Sequence, residues 1–201
     1  YYSVIYTSEI VALIVGALLC PMLLKKFNKR NLSLAGCIVV VIAHALIMVN
    51  PMSFQWILVM TIIRSLGQAP LTSLVFGMMG DVVEYGQWKS HLRQESLIFG
   101  GGSLGFKIGT GITSAVMTAM LEGAGFLSSV TGGAMQPTSA QQMISSIFKF
   151  GPIFVWIVAI IVLLFYKLDK IYPTIMKELT EREARGEMSV SYTHLTLPTN
   201  R

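Results

Sequence analysis

Three groups of side chains in this sequence are placed to do chemistry. Asp81, Glu84, Tyr85, Lys89, Arg93 and Glu95 crowd a short stretch lying between two long apolar runs. Lys107 stands inside an apolar run with Ser103, Thr110, Ser114 and Thr118, which share one helix face at about 100° per residue. Arg64, Gln68 and Thr72, with Thr61, fall within about 80° of one another on a second helix. The chemistry these groups suit is binding: ion pairs that form and break, and hydrogen-bond donors for a polar solute.

The elements that hold them must be membrane helices. The 201 residues are 53% hydrophobic and 12% charged, with a mean hydropathy of +0.65. Soluble domains carry roughly 25% charged residues. The net charge of +5 does not point to nucleic acid, because the basic residues collect at the ends of apolar runs. Cys20 and Cys37 lie within apolar segments and read as small buried hydrophobes.

Five spans are predicted: Glu9 to Leu24, Leu32 to Val49, Phe54 to Met79, Leu97 to Leu121, and Phe148 to Tyr166. Glu9 then falls at a membrane boundary, after an aromatic and polar lead over 1–8. The charged stretch from Gly80 to Glu95 becomes a loop at a membrane face. Loop 25–30 holds four Lys or Arg, loop 81–95 two, and the tail 167–185 five, whereas 50–53 and 122–142 hold none. Basic loops stay on the cytoplasmic side, so the amino terminus is placed outside and the carboxy terminus inside, in a plasma (inner) membrane. The tail carries Ile171, Ile175 and Leu179 among charges of both signs, the pattern of a short amphipathic helix along that face. The chain opens on Tyr1, and residues 189–201 break from the preceding pattern and resemble translated adapter read-through. The expectation is a fragment, with 1–188 as its transmembrane part.

A charge in hydrocarbon costs on the order of 3 kcal/mol, so charged residues inside spans need a reason. Lys149, near an end of the fifth span, can snorkel to the interface. Arg64 and Lys107 lie deeper. Each either binds a solute or tethers its helix to a neighbour. Gly101, Gly105 and Gly109 form a separate stripe on the Lys107 helix, which predicts close approach of another helix there. Gly67 and Pro70 predict a kink near the middle of the third span, because Pro70 leaves the Leu66 carbonyl unpartnered. His44, alone among Ile, Val and Ala, reads as an interhelical hydrogen-bonding residue.

The order Asp81-Val-Val-Glu-Tyr-Gly-Gln-Trp-Lys89, then Arg93 and Glu95, resembles the loop between the tenth and eleventh helices of glycoside–pentoside–hexuronide:cation symporters. These are melibiose-carrier-like members of the major facilitator superfamily. The tail is similar to endings common in that family, and the resemblance covers Tyr1 to Arg185. It implies an all-α membrane fold, with this chain as the carboxy-terminal half of a twelve-helix bundle. It also implies transport of a sugar or glycoside coupled to Na+ or H+ by alternating access, with no covalent step. The coupling cation would be held by carboxylates of an amino-terminal half that this sequence does not contain. Lys107 follows Glu95 by the family's twelve residues, which implies a side chain projecting toward the sugar and cation sites. Substrate contacts are thus expected from Lys107, Ser103, Thr110, Arg64, Gln68 and Thr72. The family's inner-side charge network implies a cytoplasmic gate at Asp81, Glu84, Tyr85, Lys89, Arg93 and Glu95, where the residues alone allow a plain solvated connector.

Two other functions compete. A lipid or lysolipid carrier of the same superfamily branch would turn the cationic face toward a headgroup. A membrane prenyltransferase would need acidic clusters from separate loops converging on Mg2+. Only one acidic pair is present, and Lys and Arg follow it. The protein is therefore expected to be no enzyme.

Overall fold

A computed structural model describes residues 1–128 and 135–186. Its long helices are α1 (Tyr2–Leu24), α2 (Lys29–Ile47), α3 (Phe54–Ser90), α4 (Glu95–Gly123) and α5 (Thr138–Phe165). A single 3-10 turn, Leu168–Lys170, leads into the short α6 (Tyr172–Ala184). The five long helices are all long and apolar enough to cross a membrane. The tail 189–201 lies outside the described residues.

The boundaries depart from the sequence expectation in three places. Helix α1 starts at Tyr2, so Glu9 sits inside it, one side chain in an otherwise uncharged helix. Helix α5 begins at Thr138, drawing in polar residues expected to form a loop. The largest correction is at the charged stretch: Gly80 to Ser90 is no loop, because α3 continues through it for 37 residues in all. At 1.5 Å per residue that is about 55 Å, against about 30 Å of hydrocarbon. Charges do not break helices, and a Gly in a helix costs only about 1 kcal/mol. Docking of α6 against the projecting end offsets the cost of Gly80 and Gly86. The helix stops where His91 takes a left-handed conformation (φ 60°) and its N–H reaches the Gln87 carbonyl.

Helices α1, α2 and α3 pack together through small residues. A Cβ on Gly36 would collide with the Gly67 carbonyl oxygen, and one on Gly67 would lie 2.9 Å from the Gly36 oxygen. A Cβ on Gly16 would lie 2.5 Å from Ala69 Cβ. This is the close backbone approach that small residues permit between membrane helices. It takes place at α2–α3 and α1–α3, away from the Gly101, Gly105 and Gly109 stripe, where nothing lies within 4 Å of an added Cβ. Helix α4 has no buried residue. Gly36→Ala is therefore expected to destabilise the protein by about 2 kcal/mol, as overpacking does. Gly86→Ala, with nothing within 4 Å, should leave detergent melting unchanged or slightly raised. Equal melting of the two variants would refute the α2–α3 crossing.

The prolines are accommodated without interrupting their helices. Helix α3 runs on through Gly67 and Pro70 as one helix, and the Gly16 backbone lies against Leu66 and its freed carbonyl. Pro152 likewise frees the Phe148 carbonyl in α5, and His44 of α2 lies 3.1 Å from it through Nε2. His44 is thus a buried donor from α2 to the carbonyl that a proline leaves over.

Candidate functional site

The end of the bundle carrying the basic residues is built as one polar layer. Lys29, at the start of α2, pairs with Asp81 at 2.6 Å and lies over the Tyr172 ring at 5.3 Å. Asp81 is 3% exposed, and its second oxygen accepts from the Tyr166 hydroxyl at 3.5 Å. One turn along α3, Glu84 accepts from the Tyr172 hydroxyl. Burial, and then that hydrogen bond, push the Tyr172 phenol above its usual range, so it stays a donor at any physiological pH. Trp88 donates its indole N–H to Glu178 at 2.7 Å, while Arg182 reaches the Trp88 carbonyl at 2.9 Å. Ile175 and Leu179 fill the space beneath. The amphipathic tail helix is therefore real, with Ile175 and Leu179 inward and Ile171 left exposed.

Arg30 ties two helix ends together in the same layer. Its backbone N–H, in the first turn of α2, donates to Asp169 at 2.9 Å. Its guanidinium donates to the Leu163 and Leu164 carbonyls at the end of α5, both at 2.8 Å. An anion thus meets the amino end of one helix and a cation the carboxyl end of the other, the favourable sense for both dipoles.

This arrangement divides the expected gate. Asp81 and Glu84 are joined to α2 and α6 rather than to the charges that follow them. Arg93 pairs with Glu95 at 3.3 Å, both in solvent, and donates to the half-buried Gln87 amide oxygen at 3.1 Å. Lys89 lies over the Tyr85 ring at 6.0 Å. The sequence reading missed Lys29, Arg30, Tyr166, Asp169, Tyr172, Glu178 and Arg182 as partners. Their separations in sequence run from 52 to 139 residues, and charge spacing carries no signal over such distances.

Deeper in the bundle, Arg64 of α3 pairs with Glu9 of α1 at 2.6 Å. Gln68 lies one turn along on the same face. The Thr72 hydroxyl is turned back onto the Ala69 carbonyl at 3.0 Å. On α4, Ser103, Lys107 and Thr110 are exposed, and Thr110 is likewise bonded to its own helix, at 2.9 Å to the Lys107 carbonyl. The structure does not bring the α4 face and the Arg64 face into contact. Among the described residues, no group of three or more His, Cys, Asp or Glu side chains converges as a metal site would need.

Comparison with known proteins places residues 1–170 against a family model described as MFS/sugar transport protein. An isoprimeverose transporter of Lactiplantibacillus pentosus is 29% identical over 185 residues, covering 91% of this chain and 38% of its own length. A putative sulfoquinovose importer of Salmonella typhimurium is 25% identical over 89% of this chain and 37% of its own. A glucuronide carrier protein homolog of Escherichia coli is 23% identical over 93% and 40%. The chain therefore spans about two fifths of the length of these relatives.

Proposed function

The chain belongs to the MFS/sugar transport family, as its resemblance over residues 81–95 implied, and from that premise we propose that it is the carboxy-terminal half of a multi-pass sugar symporter. The substrate is a sugar or glycoside, coupled to Na+ or H+ by alternating access, and the coupling cation is held mainly by an amino-terminal half. The sugars these relatives are named for, isoprimeverose and sulfoquinovose, support a sugar. One observation carries the reading. Helix α4 is apolar enough to span, yet has no buried residue and presents Ser103, Lys107 and Thr110 outward. A lysine in that position needs a polar cavity or a counter-charge, and a second helix bundle across a sugar-filled cleft supplies both. Uptake into vesicles containing the full-length transporter tests this: a radiolabelled glycoside should accumulate and a lysophospholipid should not. The opposite preference would favour the lipid-carrier reading.

The gate belongs to the exposed part of the charged stretch, Lys89, Arg93 and Glu95. These side chains are in solvent and free to exchange partners with another bundle, whereas Asp81 is committed to Lys29. Arg93→Ala should lower uptake about tenfold while equilibrium sugar binding changes by less than about threefold, the split expected of a residue acting in conformational exchange. Unchanged uptake would make the stretch a connector. The basic layer is assigned to the cytoplasm by the positive-inside rule. Cysteines introduced at Asn28 and Ser90 should then react only with reagents that reach the cytoplasm, and one at Ser139 only from outside. Reversal at any two of the three overturns the orientation.

A further inference from the structure

The cations at the basic end of the bundle do not all find counter-charges within the chain. Lys29 is matched by Asp81. Arg30 is not. Its Nε and Nη2 donate to the Leu163 and Leu164 carbonyls, and among the described residues no carboxylate lies within ion-pair distance of its guanidinium. The acid at hand, Asp169, is turned to the Arg30 backbone N–H instead. A guanidinium does not shed its proton, so this half-buried side chain keeps a full charge at the α2–α5 seam. The two carbonyls hold it in one place, with Nη1 left unengaged.

Two lysines stand beside it. Lys167 and Lys170 flank Asp169 in the 3-10 turn after α5, where the Lys170 N–H reaches the Lys167 carbonyl at 3.3 Å. Residues three apart in such a turn eclipse one another, so the two lysines share a side, rotated about 120° from Asp169. Both are exposed, and neither makes an ion pair among the described residues. Lys26, exposed in the loop four residues before Arg30, adds another unmatched cation. Just inside this cluster the surface is apolar: Ile161, Val162, Leu164 and Phe165, at the end of α5, are exposed. Helix α5 is long and apolar enough to span a bilayer, so the cations fall at headgroup level and the apolar face at the level of the acyl chains.

We propose that Arg30, Lys167 and Lys170 form a site for the phosphodiester of an anionic phospholipid, in the leaflet at the basic end, with its acyl chains along the exposed end of α5. Both parts of the surface select this occupant. Cations without counter-charges suit an anion, and Arg30 Nη1 can donate to a phosphate oxygen in a charge-assisted bond. The adjoining face takes hydrocarbon, which a soluble phosphate lacks. A zwitterionic lipid brings its own ammonium, which competes with the lysines for the phosphate. A lipid with an uncharged alcohol on the phosphate brings no such competitor. The bound phosphate lies beside the guanidinium that ties α2 to α5, so occupancy stabilises that seam.

The test titrates the purified full-length transporter in mild detergent with dioleoylphosphatidylglycerol or dioleoylphosphatidylcholine, which share their acyl chains. Bound lipid is read by native mass spectrometry and stability by thermal melting. The wild type should bind the glycerol lipid about tenfold tighter than the choline lipid, and melt higher when it is bound. Lys167→Gln with Lys170→Gln should cut that preference to less than about threefold. Its lipid-free melt should not change, because neither side chain has an ion-pair partner to lose. Lys89→Gln with Lys177→Gln removes the same charge from the same end and should keep the preference. Arg30→Gln should lose it too, and if that variant does not fold the lysine pair decides the matter. Inorganic phosphate in excess should not displace the lipid. Equal binding of the two lipids by the wild type, a preference that survives Lys167→Gln with Lys170→Gln, or equal loss in the two double variants overturns the proposal. Displacement by inorganic phosphate overturns it as well, since the ligand is then a soluble anion.

Discussion

Lys29→Ala is expected to lower the unfolding free energy in mild detergent by about 3 kcal/mol, and Asp81→Asn by less than half as much. The asymmetry comes from unequal burial within one ion pair. The Asp81 side chain is 4% exposed and that of Lys29 30%. Removing the lysine strands a buried carboxylate left with two neutral hydroxyls, Tyr166 at 3.5 Å and Tyr172 beside it. Breaking a buried pair in that way costs about 3–5 kcal/mol, and the partial exposure of Lys29 places the expected loss at the low end. Removing the acid instead leaves a lysine whose flexible stem can carry its ammonium to solvent. Replacing both, Lys29→Met with Asp81→Leu, should recover most of the stability, since apolar groups of similar volume can substitute for a buried pair. Thermal and denaturant melts of the three variants decide it. Equal losses in the two single variants, or no recovery in the double, would show that burial of the carboxylate does not set the cost.

The contrast between Lys29 and Arg93 shows where a sequence is readable and where it is not. Both are cations at the ends of apolar runs, and the positive-inside count treats them alike. Hydropathy located the five spans because a helix in lipid must be apolar over a bilayer's thickness, whatever it packs against. Partner choice has no such local rule. Asp81 lies twelve residues from Arg93 and 52 from Lys29, and it is the fold that brings Lys29 beside it. The glycines repeat the lesson. Gly101, Gly105 and Gly109 have the small-residue spacing, yet no neighbour is in place, whereas single glycines at 36 and 67 make the closest approach of two backbones. Spacing shows that a helix could be approached; only the neighbour decides where it is. Glu9 repeats the lesson: its counter-charge, Arg64, lies 55 residues away, and no local pattern shows the pairing.

Lys107→Ala is expected to reduce substrate accumulation by the full-length transporter at least about tenfold, while the protein still reaches the membrane. A hydrogen bond from a charged donor contributes about 1.5–3 kcal/mol, and each 1.4 kcal/mol is a factor of ten. Lys107 is exposed on a helix with no buried residue, and it makes no ion pair among the described residues. A tether within this bundle is therefore not what it supplies. Its three donors are left for sugar oxygens or for carboxylates of a facing bundle. Lys107→Arg should rescue only in part, because a planar guanidinium differs from an ammonium in shape and hydration. The opposing case is a tether to the other half, which predicts less folded protein but unchanged transport by each folded molecule. Uptake normalised to detergent-stable protein separates the two. Normal uptake per molecule in Lys107→Ala would remove this residue from the site and leave the Arg64 face as the polar surface available to a substrate.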